Sequence, residues 1–301
     1  MNENKLDLIK GIQTPESSVA DEQSSFKEEM TSLLGDAISD DREANFIESQ
    51  YKPEVTVIIG FPEYGKTSFV ASLYHIAISN GRVGKWDCYD SDTFVGFERR
   101  LFLRRYSTEN IPSGTLRTVR GEAHILTLKL IKEGVKKTML LSDHSGEDFV
   151  EYANNPEKVS NDILLHHADK IILLIDSSIL ISKKNLSMKN QYENLLGGMK
   201  DSGVFNNNVE LLIIFNKYDK IQECDYGIFT QRESELISFI NNICEVNISK
   251  VFKVQANNVD NQALNDCFSY LSDSIKVAPG PEKDELDKLN WVNQILNRES
   301  L

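Results

Sequence analysis

The sequence predicts an α/β fold: a mostly parallel central sheet with one antiparallel edge strand and helices on both faces. Three observations lead there. Short β-branched or leucine-rich runs recur between residues 53 and 278, at strand length rather than helix length. Segments with apolar residues three and four apart fall between most of them, the alternation of strand–helix–strand units. The apolar runs at 124–132 and 137–142 are joined only around Glu133-Gly134, which suits a hairpin and places an antiparallel strand at one edge.

Residues 1–50 carry 12 acids against 4 Lys and Arg, with few aromatics, so residues 1–52 are expected to form an acidic, flexible N-terminal arm. Phe26, Met30, Leu33 and Leu34 recur at helical spacing, and a short partner-binding helix from about Ser25 to Ile38 is the alternative. The pattern changes at Pro53. Val55–Ile59 is a β-branched run ending at Gly60, read as a buried strand, and Lys66 to about Ser79 has helical periodicity through Phe69, Val70, Leu73 and Ile76. Residues about 80–117 read as an insertion. Further strands are expected at 124–132, 137–142, 170–176, 209–215 and 250–255, and helices near 156–168, 187–200, 229–244 and 262–275. These elements make residues 53–278 one domain. Pro279-Gly280-Pro281 then breaks the structure. The tail at 279–301 carries Leu286, Leu289, Trp291, Val292 and Ile295 on an amphipathic helix, read as packing back on the domain.

Bulk properties narrow the function. The 301 residues are 40% hydrophobic and 26% charged, enough to bury a sizeable core. Cys88, Cys224, Cys244 and Cys267 are widely spaced and form no C-x-x-C pair, which argues against a zinc site or disulfide framework. No apolar run approaches the roughly 18–20 residues of a membrane span, and the start of the chain lacks a signal-peptide pattern, so a cytoplasmic protein is expected. The net charge of −13 disfavours a direct grip on nucleic-acid phosphates.

The strongest local signal is Gly60-Phe-Pro-Glu63-Tyr64-Gly65-Lys66-Thr67, which fits G-x-x-x-x-G-K-[ST] between a predicted strand and a predicted helix. Such a loop turns successive N–H groups toward phosphates at the positive end of a helix dipole. Gly60, Glu63, Tyr64, Gly65, Lys66, Thr67 and Ser68 are therefore the candidate phosphate-side residues. Lys66 would reach the β and γ phosphates, and the Thr67 hydroxyl would ligate Mg2+.

Asn216-Lys217-Tyr218-Asp219 follows the apolar strand Leu211–Phe215. A carboxylate there can accept from guanine N1–H and the 2-amino group. Adenine lacks that donor pair and would leave the carboxylate desolvated without compensation. Asn216, Lys217 and Asp219 are thus candidates for binding a guanine nucleotide. A kinase or ATPase built on the same loop would be expected to lack this tetrad. Asp143-His144-Ser145-Gly146-Glu147 ends another apolar run: Asp143 suits outer-shell Mg2+ coordination, and Gly146 can offer a backbone N–H to the γ-phosphate.

Taken in order, these motifs resemble those of the GTPases of the translation-factor and Ras-like superclass over about residues 53–278. The resemblance implies a P-loop NTPase G domain that binds GTP or GDP with Mg2+ and hydrolyses GTP as a switch. It implies that Gln255-Ala256-Asn257 stands for the Ser-Ala-Lys-like loop, with the Ala256 N–H reading guanine O6, although only the alanine of that motif is kept. A finer likeness, to the double-GTPase families of bacterial conflict and defence gene clusters, rests on Tyr89–Glu98, Leu116-Arg117-Thr118 and Asp143-x-Ser-Gly-Glu-x-Phe149.

In the Ras-like class a threonine of the first switch ligates magnesium, and the catalytic water is oriented by a glutamine directly after the switch glycine. Lys66 and Asp143 lie 77 positions apart. Within that span Thr118 is the choice for the magnesium threonine, and with it for a catalytic role, with Thr115 as the alternative. Glu147 stands where the glutamine would. It could accept from water, but its charge would repel the γ-phosphate. His144, His166 and His167 are the other candidates. Arg99, Arg100, Arg104, Arg105, Arg117 and Arg120 include candidates for a charge-stabilising arginine, in cis or across a nucleotide-dependent dimer. The plainer reading of Arg99–Arg105 is an amphipathic helix with a solvated basic face. A protein partner or effector is expected to engage the insertion and the termini.

Overall fold

The computed structural model describes residues 36–38, 53–105, 124–206 and 209–273. Thr115, Thr118, the rest of the N-terminal stretch and the C-terminal tail lie outside the described residues.

The strands are β1 (Glu54–Ile59), β2 (Arg82–Val83), β3 (Trp86–Asp90), β4 (His124–Lys132), β5 (Val135–Asp143), β6 (Lys170–Asp176), β7 (Glu210–Asn216) and β8 (Ile248–Lys253). They form one sheet in the order β2-β3-β4-β5-β1-β6-β7-β8. The run from β5 through β1, β6 and β7 to β8 is parallel. β4 returns antiparallel along the whole of β5, from His124↔Asp143 to Lys132↔Val135. Their two-residue turn, Glu133-Gly134, holds both residues at positive φ (50° and 83°), the geometry that matches strand twist. The antiparallel edge is broader than one strand, because β3 pairs with β4 and β2 with β3. Both added strands come from the insertion. β2 is two residues long and β3 buries only Trp86, so neither leaves an apolar run to read.

β6 and β7 are buried almost throughout, which accounts for their unbroken apolar runs. Adjacent residues of β1 enter opposite cores: Val57 and Ile59 face one, Ile58 the other. The first core is closed by α3 (Gly146–Asn154), α5 (Ser177–Ile181), α6 (Asn185–Asp201) and α7 (Tyr226–Cys244) through Phe149, Leu180, Tyr192, Leu195 and Leu236. The second is closed by α1 (Lys66–Asn80), α2 (Phe94–Arg105) and α8 (Gln262–Asp273) through Phe69, Phe97, Leu101 and Phe268.

Two local expectations change. The helix expected near 156–168 is a 3-10 turn, Pro156–Asn161, followed by the four-residue α4 (Ile163–His166). In the segment expected as a flexible arm, Ile38 is buried and pairs antiparallel with Ile125 through bonds of 3.0 and 2.9 Å, while Asp36 pairs with Arg99. An apolar residue with an open strand edge to pair on overrides the acidic composition around it.

Candidate nucleotide-binding site

In an open parallel sheet, ligands sit at the C-terminal strand ends where the strand order reverses. Here that point is the end of β1, whose neighbours β5 and β6 lie on opposite sides. Gly60–Gly65 turns there into α1, with Glu63 and Gly65 at positive φ (68° and 93°). Gly65 has a second reason to lack a side chain: a Cβ would fall 2.4 Å from Asn216 Nδ2.

The Lys66 ammonium is buried and donates to the Gly60 carbonyl at 2.7 Å, spanning the loop it belongs to. Burial pushes it down to about 8, while the charges of Asp143 and Asp148 act in the opposite direction. One residue on, the Thr67 hydroxyl lies 3.4 Å from Asp143 Oδ1, and Ser68 is half-buried in the same helical turn. Asp143 reaches Thr67 because β5 lies parallel beside β1 and ends at the level of the loop. It is buried, and its Oδ2 accepts from Arg100 Nε at 2.6 Å. The basic face expected for α2 is therefore split: Arg99 is exposed, whereas Arg100 points inward.

After Asp143 the chain turns into α3. Ser145 caps that helix and Asp148 closes the reciprocal capping box. A Cβ on Gly146 would fall 2.5 Å from Pro62 N and 2.7 Å from Phe61 C, so the switch-like segment lies directly against the phosphate loop. Glu147 is exposed. His144 turns away into the core, 3.0 Å from Asp162. His166 and His167 lie just before β6, toward the end of the sheet opposite the loop.

On the other side, Asn216 staples three loops. Its Nδ2 donates to Tyr64 O at 2.8 Å, its Oδ1 accepts from Ala256 N at 2.9 Å, and its position closes β7. Lys217, at φ 57°, crosses to the phosphate loop, donating to Glu63 O and Asp176 Oδ2, both at 2.6 Å. Asp219 is exposed on the single turn Tyr218–Lys220. The Ala256 N–H, expected to read guanine O6, donates to Asn216 Oδ1 and ties the loop after β8 to the end of β7.

Asp176 is the residue the sequence reading missed. Burial alone would raise its carboxyl, but Lys217, Ser178 and the Ile179 N–H outweigh that and hold it below the usual carboxylate range. It ends β6 in register with Asn216. An aspartate closing an apolar strand was the available signal, but the register that sets it beside Lys217 is not written in either segment.

A glycine-rich loop between strand and helix, a strand-end aspartate beside its threonine, and an Asn-Lys-x-Asp turn bonded to that loop together define a P-loop G domain. Residues 54–268 match the Double-GTPase 2 family, and the chain belongs to it. Among solved structures, a bacterial selenocysteine-specific elongation factor, EF-Sec, is similar at 18% identity and a TM-score of 0.41, covering 74% of this chain and 29% of its own. The Roco2 RocCORdC protein of Methanosarcina barkeri, bound to GDP, is similar at 15% identity and a TM-score of 0.36, covering 81% of this chain and 52% of its own. This chain thus spans about half or less of the length of either. No curated protein matches the chain.

Proposed function

We propose that the protein binds GTP and GDP with Mg2+ and hydrolyses GTP as a molecular switch. The observation that carries this is the bonding of the Asn216–Asp219 turn to the phosphate loop through Asn216 and Lys217. That bonding supports the reading because it would hold a base-binding turn against the phosphate side, with the exposed Asp219 carboxylate available to a guanine edge.

The residues fit magnesium. The Thr67 hydroxyl and Asp143 carboxylate are hard oxygen donors close together, and this ion is ordinarily held by one or two protein oxygens together with phosphate oxygens and waters. Among the described residues no group of three or more His, Cys, Asp or Glu could hold a metal, so the ion is expected to arrive with the nucleotide. When bound it would neutralise charge developing between the β and γ phosphates. Lys66 would exchange Gly60 O for phosphate oxygens, and Gly146, already against the loop, would respond to the γ-phosphate.

Residues 53–278 would form the GTPase unit, with the insertion and termini meeting a protein partner. A role in bacterial defence follows from the family likeness alone. A GTP-binding scaffold with little turnover is the second reading. It is favoured by Glu147, exposed and anionic at the position expected to orient water. Phosphate release from the full chain with GTP-Mg2+, against ATP and against Lys66→Ala, tests the proposal. GTP-selective release lost in Lys66→Ala supports the switch, binding without release supports the scaffold, and equal use of ATP sinks both.

A further inference from the structure

Arg100 is the buried cation at this site that the G-domain motifs do not supply. It comes from α2, in the insertion, and is only 8% exposed. Its Nη1 donates to Gly96 O at 2.8 Å, folding the side chain along its own helix, and its Nε donates to Asp143 Oδ2 at 2.6 Å. The two oxygens of Asp143 therefore have different duties: Oδ1 faces Thr67 and Oδ2 is held by the guanidinium. A planar guanidinium fixes the carboxylate plane as well as its charge.

The helix that delivers Arg100 is held from outside. A Cβ on Gly96 would fall 2.7 Å from Ala37 N, so residues 36–38 lie directly over the turn whose carbonyl Arg100 uses. Asp36 pairs with the neighbouring Arg99, and Ile38 is fastened to Ile125.

We infer that Arg100 is a positioning residue for the metal site: it orients the Asp143 carboxylate and weakens that carboxylate's hold on a divalent cation, so that Mg2+ retention depends on how α2 is docked. The inference rests on the GTP-Mg2+ reading above. A cation seated beside Thr67 shares Asp143 with a fixed positive charge a few ångströms away. In a buried, low-dielectric setting that repulsion is not screened as it would be in water. The insertion thereby acquires a route to the nucleotide that needs no contact with it: a partner that moves α2 changes magnesium affinity.

The test uses the full chain loaded with fluorescent GDP, with the GDP release rate followed as Mg2+ is titrated. Arg100→Gln is expected to lower the Mg2+ concentration that half-maximally slows release by about tenfold. Arg100→Lys, which keeps the charge, is expected to stay near the parent value. Arg82→Gln, an exposed arginine on β2, controls for net charge and should leave the midpoint unchanged. Arg100→Met is a second neutral variant that avoids an unpaired amide in the slot, should glutamine disturb folding. Thermal melting checks that each variant is folded.

A midpoint unchanged or raised in folded neutral variants overturns the inference and leaves guanine-nucleotide binding standing. A midpoint that falls equally in Arg100→Lys also overturns it, because packing and not charge would then be responsible. Failure of the parent protein to bind GDP at all would remove the functional reading and this inference with it.

Discussion

Asn216 and Gly65 meet where one methyl group would not fit. The 2.4 Å separation between a Cβ on Gly65 and Asn216 Nδ2, added to a φ of 93°, penalises Gly65→Ala on two counts. That variant is expected to lose about 1–3 kcal/mol of stability and most nucleotide affinity, read by urea unfolding and by fluorescent-GDP titration. Asn216→Ala removes the bonds to Tyr64 O and Ala256 N and leaves those buried groups to find other partners. A cost of about 1–3 kcal/mol is expected, with weaker binding of GDP and GTP alike. Unchanged affinity in a folded Asn216→Ala protein would mean that the stapling of the loops is immaterial to the ligand. Asp176→Asn weakens the anchor of Lys217, and is expected to raise the dissociation constants for GDP and GTP by the same factor while leaving the Mg2+ dependence alone.

At the scale of elements, Asp162 joins three pieces of chain. It accepts from Tyr152 of α3 at 3.0 Å, caps α4 through Leu165 N at 3.1 Å, and lies beside His144 in the segment after β5. Burial alone would raise its carboxyl, yet His144, the Leu165 N–H and Tyr152 together hold it below the usual carboxylate range. A folded-state value depressed below the unfolded one contributes stability above the unfolded value, lost as the pH falls through the folded one. Asp162→Asn should therefore destabilise the protein by about 1–3 kcal/mol at pH 7 and flatten the loss of stability below about pH 4. Thermal melts across pH 3–7 check this, and parallel curves for the two proteins would refute it. The same elements show what could be read beforehand. β1, β6 and β7 are legible because burial on both faces calls for the apolar runs Val57–Ile59, Ile171–Ile175 and Leu211–Phe215, even though β1 also buries Glu54 and Thr56. α1 is legible because its loop motif marks its start. α3 is not among the expected helices although Ser145-x-x-Asp148 spells its capping box, because the same residues belong to the Asp143–Glu147 motif and the helix is only nine residues long. β2 and β3 carry no such signal, because the short outer strands of a sheet need little apolar surface and their pairing, β2 on β3 and β3 on β4, is not written in either segment.

For the whole molecule, the sheet has two dissimilar ends. The parallel end carries the loops after β7 and β8, and the antiparallel end carries β2, β3 and residues 36–38. The phosphate loop lies between them, touched from one side by Asn216 and Lys217 and approached from the other by Asp143, with Arg100 behind it. The order of motifs disclosed the first half of this arrangement. It could not disclose the second, because no motif carries Arg100 and its contact with Asp143 depends on how α2 packs. Whether the site takes a guanine nucleotide is read directly by competition binding. Fluorescent GDP bound to the full chain with Mg2+ is displaced by GTP or by ATP, in the parent protein and in Asp219→Asn. Displacement by GTP at concentrations at least about a hundredfold below ATP, with that ratio collapsing in Asp219→Asn, is expected from a carboxylate that pairs with two guanine donors. Equal displacement by ATP in the parent protein, or a ratio unaffected by Asp219→Asn, would contradict it.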